Sequence, residues 1–502
     1  MKVKYLKIHN SDNVVVALEP LNAGERISAQ DSEIILAADI KKGHKAAIKE
    51  IKAGEKVIKY GHIIGHAVVD ILPGEWVHSH NLKTDLRDVI EYSYNPVKYN
   101  PIKIEEKIPE FSGYRRKSGK AGTRNEIWII NTVGCVNSSA EKIAKISNEK
   151  FHSDNFDGVF TFSHPYGCSQ LGDDLANTQK VLAGLINNPN AGGILILGLG
   201  CENNQMGALL NKTGNVDKER IRSFNSQDVT DEIETGVNLV EELFNIIKND
   251  KREEISVSEL VIGVKCGGSD GFSGITANAL VGKITDIITA YDGTVLLTEV
   301  PEMFGAEQQL MNRAKDENTF NKIVSMINNF KKYFTDNNQP VYENPSPGNK
   351  EGGLTTLEEK SLGAIQKGGS SQITEVLDYG DILSQGSLGG LILIKAPGND
   401  GVSSTAMTAS GASMLLFTTG RGTPLGFPVP TVKISSNTDI FNRKPNWIDF
   451  NAGRLLDGEE NIERLSEDLL MFILDTASGK IKTKNEINGY KEIAIWKEGV
   501  TL

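Results

Sequence analysis

Four apolar runs with the same ending constrain the fold of this chain more than any other feature. "EIWIINTVGC", "GVFTFSHPYGC", "GGILILGLGC" and "ELVIGVKC" each read as a buried strand that stops at a cysteine: Cys135, Cys168, Cys201 and Cys266. Helical patterns such as "SSAEKIAKISNEKF" and "DDLANTQKVLAGLINN" lie between the first three. Such strand–helix alternation predicts a mostly parallel sheet with both faces covered. A charged break, "IIKNDKREEISVS", closes the first stretch. A second stretch continues with "GTVLLTEV", "GLILIKAPGND" and "SMLLFTTGRGT". Between its strands the pattern predicts a long helix over about 306–334 and a Gly/Pro-rich loop, "ENPSPGNKEGGLTTLEEKSLG". That loop is too long for a mere connection and reads as functional.

The first part of the chain differs. Brief β-branched runs, "NVVVALEPL", "AAIKEI" and "GHAVVDI", alternate with "NAGERI", "KAGEKV" and "LPGEWV". A turn followed by a strand, met three times, predicts a compact all-β module. The expected organisation is therefore a small all-β domain over residues 1–92 and a proline-containing linker over 93–112. Two α/β domains follow, over 113–250 and 255–502. A length of 502 residues accommodates several cores.

A net charge of −11 argues against nucleic acid and against anionic membranes as partners. No apolar run approaches the roughly 18 residues of a membrane span. The N-terminal stretch has no uninterrupted apolar segment of the secretory kind, so the cytoplasm is expected. There is no GxxxxGK[ST], and no GxGxxG between a strand and a helix, which disfavours a nucleotide cofactor. No CxxC pair marks a zinc ribbon.

Ligands of open parallel sheets bind at the carboxyl ends of the strands. All four cysteines are expected there, among amides, hydroxyls and carboxylates in "GCSQLGDD", "GLGCENNQ" and "KCGGSDGFSG". Asn203, Ser269 and Asp270 are the expected contacts to a polyhydroxylated ligand. "TEVPEMFGAEQ" sets Glu299, Glu302 and Glu307 at another strand end. The Pro-Gly-Asn turns bring Asn349 with Lys350, and Asn399. Arg421, in "TTGRGTP", and Arg124 with Asn125, in "GTRNE", are candidates for a carboxylate. Five of the eight histidines (His44, His62, His66, His78, His80) fall between residues 44 and 80. Two residues apart on a strand, His78 and His80 would share a face and could hold a metal ion, with His44 completing the set. His62 and His66, in "YGHIIGHAV", read as packed among apolar residues. His164 stands beside Cys168 as a separate candidate base.

The motifs "YLKIHNSDNVVVAL", "GTRNEIWIINTVGCVN", "SHPYGCSQLGDD", "CGGSDGFSGITAN", "LTEVPEMFGAEQ", "YENPSPGNK" and "FTTGRGTP" occur in one order along essentially the whole chain. By them the sequence resembles the altronate/galactarate dehydratase family. The resemblance implies an N-terminal SAF-type β-clip domain ahead of the two α/β domains. It implies a hydro-lyase converting D-altronate to 2-dehydro-3-deoxy-D-gluconate in hexuronate catabolism, with ferrous iron or manganese as cofactor and no nucleotide. The expected roles are catalytic for His44, His164 and Cys168, and metal-binding for His78, His80, Cys201 and Cys266. A small sugar acid is the expected partner, and a homodimer is left open. Galactarate dehydration is the nearest rival activity, and a non-enzymatic sugar-acid binding protein the more distant one.

Overall fold

The structure is a computed structural model that describes residues 3–29, 32–87, 89–104, 107–458 and 460–502. Two parallel sheets organise it. In the middle region the strands run Gly158–Thr161, Glu126–Asn131, Ala191–Gly198, Ile221–Asn225 across the sheet. In the C-terminal region seven parallel strands lie in the order Ile373–Leu377, Gly390–Ile394, Thr294–Leu297, Val261–Cys266, Met414–Thr419, Thr431–Ser435, Phe450–Asn451. Each sheet therefore starts in the middle and grows outward both ways. The carboxyl ends beside that reversal are where a doubly wound sheet opens a ligand crevice. The reversal falls beside the strand Glu126–Asn131, whose following turn carries Cys135, in one sheet and beside the strand ending in Cys266 in the other.

The two sheets share a core. Trp128, Leu182 and Leu185 pack in one apolar cluster with Ile392, Met407 and Phe417. At the seam, helix Gly172–Ile186 meets helix Asp400–Ser410 so closely that a Cβ on Gly184 would stand 2.4 Å from the Ala409 carbonyl. Only glycine permits that approach. Asn188 ties the C-terminal ends of the same two helices by donating to the carbonyls of Thr408 and Ala412. The chain's tail runs from Ala494, bonded to Thr405, to Gly499, bonded to Asp174 at the start of the other helix.

Residues 5–83 form small antiparallel sheets, as the turn repeats predict. The repeat is physical. In "KAGEKV" and "LPGEWV" the glutamate side chain accepts from the first backbone amide of its own turn (Lys52 to Glu55, Leu72 to Glu75, both 2.8 Å). The following amides of the first two turns, Ala23 and Ala53, donate to Asp39 and Asp70. This small module does not keep its core to itself. Ala47, Ile51, Val57, Ile64 and Val77 belong to one continuous cluster with Val264, Leu280, Met303 and Leu357 of the C-terminal region. The proline-containing segment behind it lies along the same region, with Tyr94 donating to the Ala314 carbonyl and Val97 to that of Asn312.

Two predicted elements differ. The long helix starts only at Glu317, capped by Asp316, and runs to Asp336. Before it stand a 3-10 turn and a short helix, Glu307–Met311. The long loop folds into two short helices, Pro347–Glu351 and Leu357–Ala364. Ser346 with Asn349 and Thr356 cap them, and side-chain capping is what a purely apolar pattern does not show. Among the described residues no helix is long and apolar enough to cross a membrane.

Candidate functional site

Loops from five strand ends and one edge of the small module meet over the C-terminal sheet. Lys265 and Cys266 close their strand, and Glu299 and Glu302 follow the next one. All four are buried. Lys265 bonds to Glu299 and pairs with Asp400 (2.9 Å). Lys367 Nζ lies 2.9 Å from Glu299 and 2.7 Å from the Cys266 sulfur. Lys360 lies 2.9 Å from Glu302. Burial and the nearby Glu299 carboxylate push the Cys266 thiol up to about 12. Burial acts to raise Glu302 as well, but the Lys360, Lys265 and Lys367 ammoniums outweigh it and hold its carboxyl below the usual range. Glu299 itself sits in the left-handed region (φ 72°), a conformation costing a non-glycine residue of order 1–3 kcal/mol.

Beside this cluster, Asp270 is fixed by donors from Ser273, Ser436 and Asn437, and the backbone amides of Gly420 and Arg421 both reach the Gly268 carbonyl. Arg421 is therefore delivered to the crevice at the reversal of strand order, exposed and paired with Glu351 (2.9 Å). Asn399 is also exposed and caps helix Asp400–Ser410. Asn349 is buried, donating to the Ser269 carbonyl (2.8 Å). Ser269, Asp270, Asn349, Lys350, Asn399 and Arg421 are thus brought to one face.

The small module completes this face from above. Lys45 and Lys59, both fully buried, share the carboxylate of Glu359. Burial alone would raise that carboxyl, but the two ammoniums hold it far below its ordinary value. The rings of His44 and His78 stack at 5.1 Å, and Trp76 stacks on His78 at 4.9 Å. His44 Nε2 donates to the Glu351 carbonyl and its Nδ1 accepts from Trp76. His78 Nε2 donates to the Lys350 carbonyl (3.0 Å), while its Nδ1 faces the Ser79 hydroxyl (3.1 Å). Burial lowers both imidazoles, His78 to about 4, so both are neutral near pH 7.

Several expectations give way to this geometry. His78 and His80 do not share a strand face, because the strand ends at Val77 and Asn81 Oδ1 accepts the His78 amide to start a turn. His80 is exposed against Trp76. His78, His80, Cys201 and Cys266 do not converge. Among the described residues the one group of three potential metal ligands within 4.8 Å of one another is Cys266, Glu299 and Glu302. His62 is exposed rather than packed, and His66 pairs with Asp85. His164 has both ring nitrogens taken by backbone, Nε2 by the Asn131 carbonyl and Nδ1 by the Tyr166 amide, which removes the free lone pair a base needs. Arg124 is 1% exposed, and its guanidinium is filled by Glu486 and by the Thr123 and Thr476 carbonyls. Asn125 is buried, donating to the carbonyls of Asn155 and Ile247. Both precede a strand, at the end remote from the crevice, and hold structure together. Cys168, Cys201 and Asn203 are exposed on the middle sheet's loops.

The buried lysines carried a signal that sequence reasoning passed over. A lysine inside an apolar strand, as in "VIGVKC", "VIKY" and "HKAAI", must have a buried partner. The same lysines bear on a divalent cation. Three ammoniums already occupy the carboxylates around Cys266, and both nitrogens of His44 and of His78 are engaged. Neither group, as arranged, fits ferrous iron or manganese.

An α/β protein with a polar strand-end face, capped by a small β module, is what these elements define, and three family models partition it the same way. They describe the altronate/galactarate dehydratase SAF domain (residues 3–85), the second domain of D-galactarate dehydratase/altronate hydrolase (113–248) and the C-terminal domain of D-galactarate/altronate dehydratase (257–501). The chain belongs to the D-galactarate/altronate dehydratase family. It is 51% identical over 500 residues to the altronate dehydratase of Bacillus subtilis, covering 99% of each chain. To the altronate dehydratase of Escherichia coli K12 it is 49% identical, with full coverage of both. To the galactarate dehydratase (L-threo-forming) of the same organism identity falls to 35%, over 98% of this chain and 96% of the relative.

Proposed function

We propose that this chain dehydrates D-altronate to 2-dehydro-3-deoxy-D-gluconate, a step of hexuronate breakdown. The observation that carries the proposal is the end-to-end identity of about half with two altronate dehydratases, against 35% with the galactarate enzyme. The chemistry needs removal of the C2 proton and departure of the C3 hydroxyl. The C2 proton is barely acidic beside a carboxylate, so positive charge at the carboxylate and an unprotonated base are required. Arg421 supplies an accessible guanidinium for the carboxylate. His78 is a neutral imidazole on the same face, whereas His44 has its Nδ1 lone pair taken by the Trp76 N–H, as His164 has by the Tyr166 amide. His78 is the readier of the two, since its Nδ1 needs to shed only the Ser79 hydroxyl to present a lone pair. The Lys–Glu–Cys ion-pair cluster forms the floor of the crevice. Iron belongs to this reading as a source of positive charge. The thiols of the middle sheet are better donors for it than the imidazoles. Four free cysteines accord with a reducing compartment such as the cytoplasm.

The purified protein, assayed for 2-keto acid with D-altronate and with galactarate side by side, tests the substrate. A kcat/KM at least tenfold higher for altronate is expected. A preference for galactarate, or no turnover of either, contradicts the proposal.

A further inference from the structure

We propose that Cys135, Cys168 and Cys201 together hold an iron–sulfur cluster. Each lies in the loop that follows a different strand, and the three strands are consecutive neighbours in the middle sheet, with the one before Cys135 central. They flank the reversal of strand order, where a ligand crevice opens. Their loops are stitched into one surface. The Gly134 amide donates to the Tyr166 carbonyl, and the Asn204 amide to the Gly167 carbonyl, both at 2.9 Å. The Ser169 amide donates to the Asn203 side chain (2.8 Å). A Cβ on Gly167 would stand 2.1 Å from the Thr132 carbonyl, so the cysteine that follows is held against the neighbouring loop.

All three thiols are exposed, unlike Cys266. Gln227 Nε2 stands 3.6 Å from the Cys201 sulfur and the Ser169 hydroxyl 3.9 Å from that of Cys168, donors of the kind that favour a thiolate. Beneath the loops, Asn131 Oδ1, Asn204 Oδ1 and Gln170 Nε2 are buried without a hydrogen-bond partner, in residues at most 2% exposed. Orphaned groups at that depth are costly, and they gather under this one surface.

The spacing selects a cluster over a single ion. Thiolates about 2.3 Å from one tetrahedral metal lie roughly 4 Å apart. These three sulfurs do not lie within 4.8 Å of one another. Strands stand about 4.8 Å apart, so three consecutive strand ends spread their thiols more widely than one ion can gather. In a cluster each cysteine takes a different iron. Each thiol loses its proton on binding. With Cys266 committed to Lys367 in the other sheet, one iron keeps a position free of protein thiolate.

The test does not depend on turnover, so its failure leaves the substrate reading standing. The full chain is reconstituted without oxygen, using ferric iron, dithiothreitol and sulfide, and desalted. Iron and acid-labile sulfide are then counted, and the visible charge-transfer absorption is recorded. About four irons and four sulfides per chain are expected, as for a [4Fe–4S] centre. Cys135→Ser, Cys168→Ser and Cys201→Ser should each lose most of this content, with far-UV circular dichroism unchanged because the side chains are exposed. Iron without sulfide, one metal per chain, no loading, or unchanged loading in the triple serine variant would overturn the proposal.

Discussion

At the residue scale, burial decides which ionisable groups can react. His78 is neutral because burial holds it at about 4, against an ordinary 6.5. Between those values the unfolded chain binds a proton that the folded chain refuses. The imidazole therefore lowers stability as pH falls from 6.5 toward 4, and costs nothing above 6.5. Wild type should lose on the order of 1–2 kcal/mol more unfolding free energy than His78→Gln between pH 7 and pH 5. Denaturant titration at the two pH values checks this, and parallel losses in the two proteins would count against it. Arg124 illustrates the other outcome of burial. Its side chain is saturated by Glu486 and carbonyls, so Arg124→Met should cost about 3–5 kcal/mol of stability. KM should stay within about twofold of wild type, because the cost falls on folding alone. A raised KM with unchanged stability would restore the guanidinium to the substrate.

At the element scale, the small β module is held down by ion pairs as well as by apolar contact. Strands Lys45–Ala47 and Lys56–Lys59 each aim a lysine at Glu359 on helix Leu357–Ala364. Glu359→Gln leaves two buried ammoniums with one neutral amide. That should cost about 3–5 kcal/mol. The module should lift first, so limited proteolysis at the connecting segment, residues 86–104, should run severalfold faster in the variant. An unchanged nicking rate would mean that the apolar interface alone holds the module. The elements themselves were mostly legible. Strand–helix alternation gave both parallel sheets, and the Gly-Glu turns gave the β module. The start of the long helix was missed because the chain leaves the helix after Met311 to bridge Ala314 to Ile373 and restarts at the Asp316 cap, contacts that apolar periodicity does not register. The strand expected through His78 and His80 is not formed, because the stop after Val77 is made by an Asn81 side chain, a contact that period-two patterning does not register.

At the scale of the whole molecule, the polar loops at the strand ends were legible, since the position of a strand's end is a local property. Which groups would meet there was not legible, because it depends on how the β module and the two sheets are docked. The buried lysines of one layer find their carboxylates in another, hundreds of residues away. That docking predicts the effect of removing residues 1–85. The apolar face over Val264, Leu280 and Met303 would be laid bare. The remainder should melt well below the full chain and show no turnover. An active, equally stable remainder would show that the module contributes nothing to the face it covers. The central claim is the dehydration of D-altronate, and the hydrogen delivered to the product tests it most directly. Loss of the C2 proton and the C3 hydroxyl leaves an enol, whose ketonisation places one solvent hydrogen at C3. Turnover of D-altronate in deuterium oxide, followed by nuclear magnetic resonance, should give 2-dehydro-3-deoxy-D-gluconate with one deuteron at C3. A product without deuterium at C3, or unconsumed altronate beside consumed galactarate, would contradict the account.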